Sequence, residues 1–207
     1  MPSRRIMSRP VLLLLAGALT VGLGPVDIRA QSAATSSGST YSADAVRAAY
    51  LVNFIQFAEW PSRPSDAPLT IGVANNRELE DRLIKITEGR VFQGSKKVRI
   101  RRLNSPADAV ECQLIYIHPA QRTDTSPFSS VDWIQAVRGL PVLTVAEEEG
   151  FLLKGGMINL YAENNNLRFE IAPKAAEDAG LKLSSRLLAI ARIVNVPPRS
   201  SSSASAP

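Results

Sequence analysis

Short apolar runs alternate with helical patterns through the middle of this 207-residue chain, and no other feature restricts its fold as strongly. The runs predicted to be strands are 69–74, 98–103, 113–117 and 141–145. Between them the sequence predicts a helix that is capped by Asn75 or Asn76 and ends at Thr87, a helical turn led by Pro106, and a helix at 131–138. Near-uniformly apolar strands that alternate with helices are typical of parallel sheets covered on both faces. We therefore predict an α/β fold, a mainly parallel sheet in a three-layer Rossmann-like sandwich with right-handed crossovers.

The segment from Gly155 to Val194 carries the densest set of local structural signals. Two runs of alternating apolar and polar residues, 157–161 and 167–171, are joined through three asparagines at 164–166. Asparagine tolerates the positive φ of a tight turn, so this pattern predicts a β-hairpin. The hairpin is expected to add an antiparallel edge to the sheet.

Helices are predicted at both ends of the domain. They are a first helix over Ala43–Phe57, a second that begins at Pro173 and stops at Gly180, and a terminal helix that is capped by Ser184 or Ser185 and whose apolar face extends to Val194. Proline suits the first helical position, glycine the residue after a helix end, and serine the cap. Together with the sheet, these helices predict one domain over residues 42–196.

The first 30 residues have the order that is typical of a secretory signal peptide. Arg4, Arg5 and Arg9 precede an apolar run at 11–23, and small residues follow near Ala30. This run is shorter than the roughly 20 residues that a membrane span requires. We predict that residues 1–30 are removed on export to the periplasm, by cleavage after Ala30 or, alternatively, after Ala34.

Net charge gives little support to a nucleic-acid partner once the signal peptide is removed. Residues 1–30 contain four arginines and one aspartate, so the net charge falls from +5 to +2. The small, polar segments 31–41 and 197–207 are predicted to be flexible tails. A basic strip remains, and we interpret it as the exposed face of a strand rather than a polyanion site: Lys96, Lys97, Arg99, Arg101 and Arg102. No nucleic-acid partner is predicted.

The sequence shows no catalytic constellation. His118 is the only histidine and directly follows a predicted strand, so we interpret it as a polar residue at a strand end. The acidic run 147–149 also follows a strand, at the end where open α/β sheets bind ligands, and is interpreted as a solvated loop or, alternatively, a site for Mg²⁺ or Ca²⁺. Gly155-Gly156 lacks the spacing of a phosphate loop. We predict no enzymatic activity, no resident metal and no cofactor.

Candidate binding residues lie on the predicted hairpin and just before it. Asn159, Arg168 and Glu170 alternate with apolar residues and are expected to share one face of the hairpin, where Arg168 either binds a carboxylate or forms a cross-strand pair. Phe151 and Leu152, with Leu153, form an apolar run that is predicted to contact a partner if it is exposed. Cys112, the single cysteine, lies in an apolar run and is predicted to be a buried, inert thiol.

Five segments taken together resemble the YfiR-like family of exported bacterial proteins. They are AAYLVNFIQFAEWP at 48–61, LTIGVANN at 69–76, CQLIYI at 112–117, PVLTVAEEEGFLLKGGMINL at 141–160, and LRFEIAPKAAEDAGLKLSSRLLAIARIV at 167–194. The combination of GGMINL, RFEI and LKLSSRLL is the most specific part of the resemblance. The five segments cover nearly the whole predicted domain and follow one another in the order that is typical of the family.

The resemblance implies a regulatory role. Proteins of this family are periplasmic, have a Rossmann-like fold, form homodimers, and in one system repress an inner-membrane diguanylate cyclase through its periplasmic sensory domain. An outer-membrane lipoprotein relieves that repression by sequestering the repressor. Some members also pair a cysteine of the first strand with one at the position of Cys112, but this chain has Ile71 and Gly72 in that strand, so no such disulfide is expected.

Three functional hypotheses follow. The leading one is a periplasmic regulator that lowers cyclic di-GMP and biofilm formation by binding a membrane diguanylate cyclase. The alternative is a small-molecule sensor or carrier in which Arg168 anchors an anion. The third is an enzyme that uses a metal at residues 147–149.

Overall fold

A computed structural model of the chain describes residues 37–61, 67–118 and 127–197, and the side chains within these ranges from position 43 onward. The predicted signal peptide at 1–30 lies outside the described residues. So do residues 31–36 of the predicted N-terminal tail and everything after Pro197.

Nine strands and five α-helices make up the described part of the chain. The strands are β1 Ala58–Glu59, β2 Leu69–Ala74, β3 Val98–Leu103, β4 Leu114–Ile117, β5 Leu143–Ala146, β6 Ile158–Glu163, β7 Asn166–Ile171, β8 Lys182–Leu183 and β9 Arg192–Ile193. The helices are α1 Ser37–Phe57, α2 Arg77–Thr87, α3 Ser130–Ala136, α4 Pro173–Asp178 and α5 Ser185–Ala189, and 3-10 turns cover Pro106–Glu111 and Leu152–Lys154. Within these described residues, none of the helices combines the length and apolar character that crossing a membrane would take.

The main sheet has seven strands in the order β3-β2-β4-β5-β6-β7-β9. Along the order β3-β2-β4-β5-β6, each strand is parallel to the next. Ile71 of β2 is opposite both Ile100 of β3 and Leu114 of β4. The prediction of a mixed α/β fold with a mostly parallel central sheet is confirmed. Strand order reverses between β2 and β4, and such a reversal creates the crevice in which open α/β sheets bind ligands.

Strands β6 and β7 pair antiparallel through the asparagine turn, where Asn164 and Asn165 have φ values of 50° and 61°. The expectation that this hairpin forms the edge of the sheet is wrong. β9 pairs parallel with the outer side of β7, and the N–H of Val194 donates to the carbonyl of Ile171 at 2.8 Å. The sheet therefore ends at β3 on one side and at β9 on the other.

Two helix boundaries differ by about a turn or more from the sequence prediction. α1 begins at Ser37, inside the segment expected to be a tail, rather than at Ala43. α5 ends at Ala189, so the predicted helical face does not extend to Val194. The β-branched residues Ile193 and Val194 favour extended backbone, and the outer edge of β7 offers them hydrogen-bond partners.

Hydrophobic side chains are buried on both faces of the main sheet. One cluster joins α1 and α2 to the sheet through residues such as Phe54, Leu83 and Tyr116. The second joins α3 and the two 3-10 turns to the sheet and includes Trp133 and Phe151. Burying both faces fixes the helices against the strands and thereby positions the polar groups at the ends of the strands.

Candidate functional site

Six polar residues meet at the carboxyl ends of β2, β4 and β5. Because these strands are parallel, the residues that follow them lie at one edge of the sheet, and α1 approaches the same edge. We call this group the carboxyl-edge cluster; it consists of Asp44, Arg47, Asn76, Tyr116, His118 and Glu147. It lies at the reversal of strand order, where α/β folds place ligands.

Arg47 is the centre of the carboxyl-edge cluster. Its Nε donates to Oε2 of Glu147 at 2.7 Å, and its Nη2 donates to Oε1 of the same carboxylate at 3.1 Å. Its Nη1 donates to Oδ1 of Asp44 at 2.9 Å, one helical turn away. The side chain of Arg47 is only 14% exposed. A guanidinium bonded at two points by one carboxylate has a fixed orientation, and here it joins α1 to the loop after β5.

Asp44 joins α1 to the start of α2. It is buried, and its Oδ1 accepts a hydrogen bond from Nδ2 of Asn76 at 3.3 Å. Asn76 is also the N-cap of α2, because its Oδ1 accepts from the backbone N–H of Leu79 at 2.9 Å. The single Asn76 side chain therefore serves as a helix cap and as a contact between two helices.

Tyr116 and His118 form the inner part of the carboxyl-edge cluster. The Tyr116 hydroxyl lies 3.2 Å from Nδ1 of His118, and Tyr116 is fully buried. Burial, with the nearby carboxylate of Glu147, raises the pKa of Tyr116. Burial, with the nearby Arg47 guanidinium, lowers the pKa of His118. Both groups are therefore neutral at neutral pH, and the tyrosine can donate its proton in a hydrogen bond to a neutral imidazole.

Internal pairing limits the chemistry of the carboxyl-edge cluster. The hydrogen bonds that Arg47 donates to Glu147 raise the pKa of Arg47, so this side chain stays charged and cannot act as a base. Glu147 is held by Arg47, and Glu148 pairs with Lys154. Among the residues that the structure describes, no group of three or more histidine, cysteine, aspartate or glutamate side chains is arranged to hold a metal ion. The arrangement is suited to holding α1, the loop after β5 and the start of α2 in one conformation.

A second polar network begins at the residue next to Glu147. The backbone N–H of Glu148 donates to Oδ1 of Asn159 at 3.0 Å, and Nδ2 of Asn159 donates to Oε1 of Glu170 at 3.1 Å. Asn159 is buried, while Glu170 is half-buried. The loop after β5 is thus attached to α1 by Glu147 and to the β6–β7 hairpin by Glu148.

The structure brings the predicted hairpin residues to one face. Asn159 is directly opposite Glu170, and Tyr161 is directly opposite Arg168, so all four side chains point to the same side of the sheet. Arg168 is 59% exposed and its Nε lies 3.9 Å from Oε2 of Glu163. Arg192 of β9 bonds to Glu163 at 3.0 Å and lies over the Tyr161 ring at 4.5 Å. Arg168 therefore has one weak carboxylate contact on a largely polar surface.

The predicted apolar patch before the hairpin requires correction. Phe151 is fully buried and Leu152 is 3% exposed, whereas Leu153 is 64% exposed. Phe151 packs against Gly156, where a Cβ atom would overlap its ring. Of the three residues, only Leu153 is exposed enough to contact a partner in this conformation.

Several members of the carboxyl-edge cluster are visible in the sequence, but no local pattern places them together. His118, the 147–149 loop and the Asn76 cap were each recognised as strand-end or helix-start features. Arg47 was missed, although its spacing of three residues from Asp44 in a predicted helix indicates a side-chain pair. Its partner Glu147 is distant in sequence, and only the fold reveals that contact.

The fold and this group of residues define a mixed α/β domain whose polar residues at the carboxyl edge of the sheet are bonded mainly to one another. The chain belongs to the YfiR/HmsC-like family, whose model matches residues 44–192 and so covers more than half of the sequence. This family comprises periplasmic proteins that regulate diguanylate cyclase signalling rather than catalyse reactions. No curated protein matches the chain.

Two solved structures match part of the chain. One is described as an ABC domain in complex with L-Trp from Streptococcus pneumonia, with 11% identity, a TM-score of 0.41, and coverage of 61% of this chain and 56% of that one. The other is a conserved domain protein from Vibrio cholerae, with 14% identity, a TM-score of 0.47, and coverage of 73% and 60%. The chain thus spans less than two thirds of the length of each of these structures.

Proposed function

We propose that this protein is a periplasmic regulatory protein that represses an inner-membrane diguanylate cyclase by binding its periplasmic sensory domain. Repression lowers cyclic di-GMP and reduces biofilm formation. Membership of the YfiR/HmsC-like family is the observation that carries the proposal. The carboxyl-edge cluster supports it, because Arg47 and Glu147 are engaged with each other rather than free for catalysis.

A gene deletion tests this function directly. Cyclic di-GMP measured by mass spectrometry should rise in the deletion strain and return to its original level when the full-length gene is restored. The same deletion in a strain whose candidate cyclase carries an inactivated catalytic site should leave cyclic di-GMP unchanged. An unaltered level in the first strain, with expression of the protein demonstrated in its parent, would contradict the proposal.

Recovery of the partner tests the same function at the level of binding. The exported protein, with an affinity tag after Pro207, is expected to retain an inner-membrane cyclase or another membrane sensor from detergent extracts. An outer-membrane lipoprotein that competes for the same protein would supply the release of repression. Finding neither class of membrane protein among the retained proteins would argue against regulation by direct contact.

A small-molecule sensor or carrier is the alternative function. It is favoured by one observation, the 59% exposure of Arg168 on the polar hairpin face beside Glu170 and Tyr161. An anionic metabolite bound there should raise the unfolding temperature of the wild-type protein and not that of Arg168→Ala. Binding and regulation are compatible, since a ligand that favours one conformation changes the population able to bind a partner.

We further propose three properties that accompany the regulatory function. The helices on either face of the sheet support a three-layer, Rossmann-like arrangement in which the hairpin lies next to the edge strand β9. Residues 1–30 act as the export signal, which N-terminal sequencing of the periplasmic protein would test. The mature protein forms a homodimer, for which light scattering should give twice the mass of one chain.

A further inference from the structure

Strand β3 forms one end of the main sheet, and its outer edge pairs with no strand among the described residues. The carbonyl of Lys97, just before β3, accepts a hydrogen bond from the N–H of Leu69 on β2 at 2.9 Å. In an extended chain, the backbone groups of alternate residues point to opposite sides. The N–H and C=O groups of Val98, Ile100 and Arg102 therefore point away from β2. They are available to an added strand.

A groove of about 460 Å³ runs beside this edge, between β3 and the end of α2. Its apolar lining consists of Ile84, Val91, Val98 and Ile100. Ile84 is 46% exposed and Val91 is 61% exposed, so apolar surface is open to solvent next to unpaired backbone. Alternate side chains of a strand added to β3 would enter this groove, and the remaining side chains would point to the opposite face of the sheet.

The charged groups around the edge are mainly basic: Glu88 lines the groove, but so do Arg90 and Lys97. Arg101 pairs with Asp108 and Glu111, and Arg102 pairs with Glu80. Lys97 and Arg99 are exposed and form no ion pair with any residue that the structure describes. These two side chains present positive charge on the strand face that carries Arg101. A carboxylate on an added strand would complement them.

We propose that β3 is a docking edge for an extended, acidic segment of a partner protein. The segment adds a strand to the sheet, places apolar side chains in the groove at Ile84 and Val91, and places carboxylates against Lys97 and Arg99. A second copy of this chain fits less well, because pairing β3 with itself would set basic residues opposite one another. The inference rests on the proposed function in one respect: it identifies the surface through which a regulator of this kind contacts its partner.

Peptide binding to the purified mature protein tests the docking edge. The probe is a short fluorescent peptide in which valine and glutamate alternate, and binding is followed by fluorescence polarisation. We expect saturable binding that a valine–lysine peptide does not show. N-methylation of alternate backbone amides in the valine–glutamate peptide should abolish binding, because strand addition requires those amides. Unchanged binding of the methylated peptide would overturn the proposal.

Three variants locate the site. Lys97→Glu combined with Arg99→Glu should weaken binding by about tenfold or more, because like charges then face each other. Ile100→Pro removes an outward N–H while leaving the bonds between β2 and β3 in place, and should also weaken binding.

The matched control is Arg138→Glu with Arg186→Glu, which makes the same charge change at exposed residues outside the groove and should leave affinity unchanged. Equal losses in the control and in the β3 double variant would overturn the proposal.

A polyanion site is the competing explanation for the basic edge. Duplex DNA and polyphosphate serve as probes for it, and we expect neither to bind more tightly than the valine–glutamate peptide at physiological salt. If a polyanion binds more tightly and Ile100→Pro has no effect on it, the edge is an electrostatic patch and the docking proposal fails.

The docking edge and the proposed function can fail separately. If the peptide binds at β3 but gene deletion leaves cyclic di-GMP unchanged, the docking edge stands and cyclase regulation does not. If deletion raises cyclic di-GMP and the Lys97→Glu, Arg99→Glu protein restores it as well as wild type, regulation stands and this edge is not the surface that exerts it.

Discussion

Arg47 on α1 and Glu147 after β5 are 100 residues apart in sequence and form an ion pair with two hydrogen bonds, of 2.7 and 3.1 Å. The pair lies at the carboxyl edge of the sheet, near Tyr116 and His118. Because Glu147 follows a buried strand and Arg47 lies on a helix packed against the sheet, the fold already orders the backbone at both residues. The planar guanidinium also loses less freedom per hydrogen bond than a lysine ammonium would. Their contact fixes α1 relative to the loop that also carries Glu148.

Removing Arg47 should destabilise the protein. In Arg47→Ala the carboxylates of Asp44 and Glu147 lose their shared cation, and Asp44 is buried. We expect a loss of about 2 to 3 kcal/mol in the free energy of unfolding, somewhat below the cost of breaking a fully buried pair. Arg47→Lys keeps the charge without the two-point geometry and should lose about 1 kcal/mol. Urea unfolding followed by circular dichroism measures both.

The matched control for Arg47 is Arg186→Ala on α5, where the arginine is exposed. Its effect should be within about 0.5 kcal/mol of wild type. If Arg47→Ala is equally mild, the ion pair does not stabilise the attachment of α1.

Phe151 should behave as a core residue and Leu153 as a surface residue, although they are two positions apart. Phe151→Ala removes a fully buried ring and should cost about 3 to 5 kcal/mol. Leu153→Ala changes a side chain that is 64% exposed and should cost less than about 0.5 kcal/mol. Thermal and urea unfolding of the two variants measure their losses in the free energy of unfolding. Similar losses in both would contradict the packing described for this segment.

Local signals predicted those elements that are bounded by strong caps. α2 runs from Arg77 to Thr87 because the Asn76 side chain caps its start and Gly89, with φ of 68°, allows the chain to turn after its end. The terminal segment was mispredicted as a continuous helix. Its apolar spacing fits a helix, but Arg192 and Ile193 instead pair with the free edge of β7. Local sequence does not show that this edge lies within reach.

The candidate site was harder to predict than the fold for a related reason. A strand-end position is visible in sequence, so His118 and the 147–149 loop were recognised. Local sequence does not show which helix approaches that edge, because this depends on how the whole chain packs. The contact between Arg47 and Glu147 could not be predicted for that reason. The same limit applies to Phe151, whose burial depends on its close approach to Gly156.

Stability should fall as the solution becomes mildly acidic, and His118 should account for part of the fall. The folded-state pKa of His118 lies below its ordinary value of 6.5, through burial and the charge of Arg47. The facing groups also include Glu147 and Asp44, which oppose the shift without reversing it. Above pH 6.5 neither state binds the proton. As pH falls through 6.5, the unfolded chain takes up a proton that the folded protein does not, so folding is disfavoured.

The measurement for His118 compares the free energy of unfolding at pH 7.5 and 5.5 in the wild type and in His118→Asn. The asparagine Oδ1 replaces Nδ1 as the acceptor for Tyr116 and does not titrate. The loss of stability between the two pH values should be smaller in the variant. This range lies above the ordinary pKa of 3.8 of Asp108 and Asp132, whose lowered pKa values affect stability only in stronger acid. Equal losses in both proteins would exclude His118 as a contributor.

The loop after β5 should couple α1 to the hairpin energetically. Glu147 contacts Arg47, and the backbone N–H of the next residue, Glu148, contacts Asn159. Once either contact is lost, the loop is partly released, and losing the other costs less. The double variant Arg47→Ala, Asn159→Ala should therefore be more stable than the sum of the single losses predicts, by about 0.5 to 1.5 kcal/mol.

The control cycle pairs Arg47→Ala with Arg138→Ala, which lies on the C-terminal side of α3 and should give additive losses within about 0.3 kcal/mol. Additive losses in the first cycle as well would mean that the loop does not transmit a change from the carboxyl-edge cluster to the hairpin face that carries Arg168.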